Sequence, residues 1–535
     1  MIITLYDTTL RDGTQMEGIS LSVNDKLRIL QKLNELGIDY VEGGWPGSNP
    51  KDMEFFKRAV KLKLKNSKLT AFGSTRRAGV QVQNDKNIQA LLKTRAKTCT
   101  IFGKSWDLHV KRVLKISLDE NLKLIEESIS YLRKHDIEVF YDAEHLFDGY
   151  AANPSYALKT LEVAQDAGAK ALILCDTNGG TITSRVAEVI REIKPTIDVP
   201  LGIHAHNDCE LAVANSIAAV EAGCLHIQGT INGYGERCGN ANLTSIIPIL
   251  QLKMNYHAIS AKKLNELTEI SHFIAEVANV RPNDHQPFVG ASAFAHKGGV
   301  HIDAVIKNPA TYEHTDPVNV GNKRRVLISE LAGRTGLSVK AREMALGITK
   351  DTPQVRRLLK LLQEQEHKGF HYEAAEGSFE LLMKRAMRKF KRFFELEEFR
   401  VIVEKRGDAP ILCEATMKVR VGGAQEHTAA KGDGPVNALD NALRKALDEF
   451  YPSLKDMHLS DFKVRIIDEK AGTAAKVRIL IQSHDKDDSW WTLGVSENII
   501  EAAWQALVDS VEYKLLRDSE KNGNTDKVQP QGDRG

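Results

Sequence analysis

Two histidines one residue apart, His204 and His206 in the stretch LGIHAHND at 201–208, are the side chains best spaced for chemistry. Alternate residues of a β-strand share a face, so both imidazoles can grip one cation. Two histidines alone also describe an ordinary half-buried strand. A catalytic metal site needs an anionic third ligand from elsewhere. The loop after the first strand-like run, DTTLRDGTQ at 7–15, supplies one in Asp12, beside Arg11. Asp12, His204 and His206 make a two-histidine, one-carboxylate set with positions left for substrate. Such a set suits Mn²⁺, Mg²⁺, Zn²⁺ or Co²⁺ used as a Lewis acid. Arg11 keeps its charge at any working pH and can stand beside a developing oxyanion. Its plainer role is a salt bridge at the loop.

These residues lie far apart in the chain, so a fold must gather them. Strand-like apolar runs at 2–6, 40–43, 69–72, 98–102, 138–141, 171–174, 201–204 and 225–229 alternate with helical periodicity. The helices ending ELG at Gly37 and EAG at Gly223 close on glycines suited to the left-handed position that precedes a new strand. Eight β-then-α units predict a (β/α)8 TIM barrel over residues 1–260, the count and roughly 250-residue span of that fold. An open doubly wound sheet would carry a GxGxxG turn after its first strand, and this chain has none there. In a barrel the loops after the strands form the catalytic face. The polar loops 7–15, 42–47, 73–77, 142–145, 176–180 and 230–240 all follow strands.

With 535 residues the chain is long enough for two or three domains. A net charge of +2 at 27% charged residues excludes a global pull toward nucleic acid or an anionic membrane. Six cysteines without CxxC spacing point to a reducing compartment and no disulfide framework. The chain opens directly on a strand, and no run approaches the roughly 18 apolar residues of a membrane span. A cytoplasmic protein is expected.

DTTLRDGTQ at 7–15, HAHND at 204–208 and TINGYGERCGNANL at 230–243 resemble the signatures of the DRE-TIM metallolyase superfamily. The branch they resemble holds the 2-isopropylmalate, homocitrate and citramalate synthases. GGWPGSNPKD at 43–52, FGSTRR at 72–77 and YDAEHLFDGY at 141–150 are most similar to its long bacterial citramalate synthases. The resemblance implies a condensation of acetyl-CoA with a 2-oxo acid, followed by thioester hydrolysis. It implies Asn240 as a direct or outer ligand near the metal, and Thr177 and Thr230 as lining the acceptor pocket. His301, in HKGGVHIDAV, matches the family's base; His296 is the competing candidate. Glu144 matches its carboxylate helper and Tyr312 a tyrosine of the same site. A histidine near its usual pKa suits such work, and a carboxylate partner raises its basicity. His109 and His145 read as ordinary loop histidines. Trp45 implies a small pocket and pyruvate as acceptor, with 2-oxoisovalerate as the alternative. One methylene is worth only about 1–3 kcal/mol there. Asp142 falls beside the same pocket as a further substrate-facing residue.

After the barrel, residues 261–391 are polar and helical, resembling the family's linker subdomains. The basic run KRAMRKFKRFF at 384–394 stands alone, without the aromatic pattern of a nucleic-acid surface. In residues 392–516 an internal repeat appears: MKVRV at 417–421 and AKVRI at 475–479 each precede a glycine and a helix rich in small residues. This resembles a regulatory domain that binds the pathway's end product, isoleucine here, and joins two chains as a homodimer. Residues 517–535 are expected to be a disordered tail. Two other classes stand against the synthase: a lyase of the hydroxymethylglutaryl-CoA type, and a ligand-sensing protein on an inactive barrel. The lyases lack the C-terminal repeat, and an inactive barrel need not keep all these side chains together.

Overall fold

A computed structural model describes residues 2–327, 333–344, 352–467, 472 and 474–525. Eight parallel strands close into a barrel: β1 (Thr4–Asp7), β2 (Tyr40–Glu42), β3 (Lys68–Ser74), β4 (Thr98–Lys104), β5 (Glu138–Glu144), β6 (Ala171–Asp176), β7 (Leu201–Ala205) and β8 (His226–Gly229). Every predicted strand is present. Closure comes from β1 pairing β8, Thr4 against His226 through Asp7 against Gly229. This seam brings the first loop beside the last one.

The connecting helices carry the expected punctuation. The helix Val23–Leu36 starts at a capping box, Ser22 accepting from Asp25 N while Asp25 accepts from Ser22 N. Gly37 and Gly223 sit after their helices at φ +97° and +109°, a region that strains any side chain with a Cβ. The helices bury Ile29, Leu33, Phe55, Ile129, Leu161 and Ile190 against the outer faces of the strands.

The chain divides into two compact units, Met1–Phe294 with Glu313–Arg324, and Ala295–Tyr312 with Arg325–Gly535. Residues 261–294, expected with the linker, belong to the barrel unit: Leu264, Leu267, Ile270 and Ile274 are buried in its core. In the second unit two three-stranded antiparallel sheets recur, each followed by a helix. The strands Glu395–Glu404, Leu412–Val421 and Ala424–Gly432 precede the helix Pro435–Leu447. The strands His458–Ile466, Val477–His484 and Ser489–Ser496 precede Ile499–Thr525. The predicted repeat strands are the middle strand of each sheet. That last helix corrects the expected tail, since 517–525 are helical; residues 526–535 lie outside the described residues. No helix among the described residues is long and apolar enough to cross a membrane.

Candidate active site

At the carboxyl end of the barrel the structure brings Asp12, His204 and His206 together. Asp12 Oδ2 lies 3.4 Å from His204 Nε2 and 3.9 Å from His206 Nε2, and the two Nε2 atoms are 3.3 Å apart. All three side chains are buried. His204 belongs to β7. His206 lies just past it, in a bridge with Asn240 that pins the loop after β8 to the end of β7. Burial disfavours a charge on either ring. For His204 the hydrogen bond and charge of Asp12 override it and raise the pKa. Burial and charged His204 push His206 down to about 3. Asp12 itself stays far below the usual carboxylate range: burial opposes its charge, but Arg11 and His204 outweigh burial. The three donor atoms stand close enough for one divalent cation to share them. Asn240 adds an amide oxygen buried without a hydrogen bond among the described residues, its nitrogen being held by Tyr234 O at 3.2 Å. One carboxylate, two imidazoles and an unpartnered amide oxygen fit a divalent cation.

Arg11 is held from two sides. Its Nε donates to Glu42 Oε2 at 2.6 Å, and its Nη1 lies 3.0 Å from Asp12 Oδ2. The guanidinium carbon stands 3.8 Å from the centre of the Phe72 ring. Burial works against its charge, but Glu42 and Asp12 keep the pKa above the ordinary guanidinium value. Glu42 also accepts from the Tyr6 hydroxyl at 2.7 Å and the Thr8 hydroxyl at 2.5 Å, and no part of it reaches solvent. Its carboxylate is therefore saturated by donors, and Arg11 is oriented rather than neutralised at random.

A cavity of about 230 Å³ opens onto this cluster, lined among others by Arg11, Trp45, Phe72, Phe102, Glu144 and Thr177. Phe72 and Phe102 stack at 5.4 Å, and Trp45 meets both edge-on at 5.6 and 5.5 Å. Trp45 Nε1 donates to Asn87 Oδ1 at 2.7 Å, which anchors this aromatic wall. Thr177 Oγ1 accepts from His145 N at 2.8 Å, so its own proton is free to face the cavity. Arg237 donates to both oxygens of Asp208 and to Thr177 O, tying the loops after β6, β7 and β8.

Other predicted residues stand differently. Thr230 donates its hydroxyl proton to Tyr234 O at 2.7 Å, which braces the loop after β8. Glu144 contacts Lys104 Nζ. Asp142 lines the cavity and accepts from Gln228 Nε2 at 3.0 Å; burial pushes its pKa up to about 7. His301, in the helix Gly299–Lys307, belongs to the second unit with Tyr312, and their rings stack at 4.2 Å. Glu42, Phe72, Phe102 and Gln228 were not singled out from the sequence. The signal for Glu42 is a carboxylate ending a short strand; for Gln228 it is an amide inside an apolar run.

The HMGL-like family profile matches residues 2–274. The homocitrate synthase post-HMGL domain-like profile matches 288–369, and the LeuA allosteric (dimerisation) domain matches 373–515. The (R)-citramalate synthase of Geobacter sulfurreducens is 56% identical over 524 residues, 98% of this chain and 99% of its own. That of Aquifex aeolicus is 53% identical over 521 residues, covering 97% and 99%. A 2-isopropylmalate synthase from Methanocaldococcus jannaschii is 29% identical, covering 97% and 96%. The chain belongs to the HMGL-like family and, within it, to the (R)-citramalate synthases.

Proposed function

We propose that this protein condenses acetyl-CoA with pyruvate and water to give (R)-citramalate and CoA. The observation that carries this reading is the buried Asp12–His204–His206 cluster, with Arg11 held beside it, in a chain 56% and 53% identical over nearly its whole length to two (R)-citramalate synthases. Asp12, His204 and His206 would hold a divalent cation, with Asn240 as a further ligand. The cation would supply Lewis acidity to the keto group of pyruvate. Arg11 stands ready for the negative charge arriving on the keto oxygen, oriented by Glu42. Thr177 offers its hydroxyl proton to the pyruvate carboxylate. Trp45, Phe72 and Phe102 narrow the pocket around a methyl group, which favours pyruvate over branched acceptors.

The family resemblance assigns proton removal from the acetyl methyl group to a histidine, for which His301 is the match, and matches Glu144 and Tyr312 to the carboxylate and tyrosine of the same step. The new carbon–carbon bond joins that methyl carbon to the keto carbon; water then cleaves the thioester and CoA leaves. The C-terminal repeat would join two chains as a homodimer and bind isoleucine as feedback effector of its own biosynthesis. The test is CoA release from acetyl-CoA with Mn²⁺, compared across pyruvate, 2-oxobutyrate, 2-oxoisovalerate and 2-oxoglutarate. A strong preference for pyruvate is expected. Preference for 2-oxoisovalerate would move the protein to 2-isopropylmalate synthesis, and no release with any acceptor would reject the condensation.

A further inference from the structure

Strand β8 carries a buried polar residue that the proposed chemistry leaves without a role. Gln228 is fully enclosed and stands in register with His204 of β7. His204 Nδ1 is 2.8 Å from Gln228 Oε1, and Gln228 Nε2 donates to Asp142 Oδ1 at 3.0 Å. Asp142 lies on β5, which does not pair with β8, so the contact crosses the barrel interior. Asp142 and His204 are only 4% and 5% exposed. Side chains from three strands therefore form one buried line that ends at the candidate metal ligands.

The line has one direction. The amide NH₂ of Gln228 faces Asp142, the orientation that an ionised Asp142 requires, since a carboxylate only accepts. Its carbonyl oxygen is then left toward His204, and that oxygen also only accepts. The proton between them belongs to His204 Nδ1. A neutral imidazole protonated at Nδ1 carries its lone pair on Nε2. Nε2 is the atom that faces Asp12 and His206. Turning the amide over would set oxygen against oxygen at an ionised Asp142 and force the proton of a neutral His204 onto Nε2, where a cation must bind. Among the described residues His206 has no comparable support, since its Nδ1 is buried without a partner there.

We infer that Gln228 is a positioning residue for the metal centre: it holds His204 in the Nδ1–H tautomer, and Asp142 holds Gln228. The inference rests on the proposed cation site. Metal ligands supported in this way typically lose 10–100-fold in affinity when the outer partner is removed, and about that loss is expected here. The experiment titrates Mn²⁺ calorimetrically into the full-length metal-stripped protein and three variants. Gln228→Met should weaken Mn²⁺ binding by about 10–100-fold. Gln228→Glu, which keeps an acceptor for Nδ1–H, should recover most of the affinity, which a role in packing alone does not predict. Asp12→Asn should abolish binding. Wild-type affinity in Gln228→Met, with binding lost in Asp12→Asn, overturns the positioning role and leaves the metal site standing. Wild-type affinity in both removes the metal site itself. Should Gln228→Met not fold, the Zn²⁺-loaded wild-type protein carries the test through ¹⁵N-histidine spectra, assigned with a His204→Asn variant. A proton on His204 Nδ1 supports the inference, and a proton on Nε2 overturns it.

Discussion

Two buried histidines on neighbouring strands have opposite fates. At the floor of the barrel His226, the first residue of β8, sits 5.4 Å from the Tyr6 ring, 6.2 Å from Tyr40 and 5.0 Å from Phe140. Its Nε2 has no hydrogen-bond partner among the described residues, and burial pushes its pKa down to about 3. At the mouth His204 is almost as deeply enclosed, yet Asp12 raises its pKa against the same burial. Depth alone therefore does not decide which way the pKa of an imidazole in this barrel moves. A carboxylate within reach does. The floor is a packing layer of rings, whereas the mouth concentrates Arg11, Asp12, Glu42 and Asp142 where a cation and an anionic substrate can repay their desolvation.

The largest expected effect comes from breaking the mouth. His206→Ala should fold but lose bound metal, and turnover should fall about 1000-fold or more, because metal polarisation supplies several kcal/mol. Metal content and steady-state CoA release read both; unchanged turnover would sink the assigned cluster. Next is the hub behind it. Glu42→Gln keeps the size of the side chain but removes the charge that orients Arg11, so kcat should drop about 10–100-fold while Mn²⁺ affinity changes less. Equal losses in both would mean that Glu42 serves the cation rather than the arginine.

The smallest effect belongs to the floor. His226 refuses a proton in the folded state that the unfolded chain accepts below about pH 6.5. A folded pKa below the unfolded one gives stability that is present above the unfolded value and lost as pH falls. His226→Leu should therefore flatten the acid-side loss of stability between about pH 6 and 4, by roughly 1 kcal/mol per pH unit, with no change in Mn²⁺ affinity. Urea unfolding of the metal-free protein at several pH values checks it. An unaltered slope would show that His226 takes up its proton without unfolding.

The barrel was legible because its signal is local. Short apolar runs alternating with amphipathic helices report strand and helix wherever they occur, and all eight strands fall where periodicity puts them. The histidine pair was legible for the same reason, since two residues of spacing mean one face of a strand. The bond from the Thr230 hydroxyl to Tyr234 O was not legible, because a hydroxyl at a loop start serves a turn as readily as a ligand. Residues 517–525 were misread because polar composition is shared by solvated helices and disordered tails.

The sequence by itself determined the element order, the repeat after the barrel and the identities of the groups that can hold a cation. Tertiary structure alone decided their partners. Glu42 meets Arg11 because β1 and β2 pair side by side, with Asp7 against Val41. Gln228 meets Asp142 because closing the sheet points residues of non-adjacent strands into one interior. Composition and spacing describe what a side chain can donate or accept. Which partner it finds, and hence its charge and tautomer, depends on distances of a few ångströms that exist only once the barrel is closed.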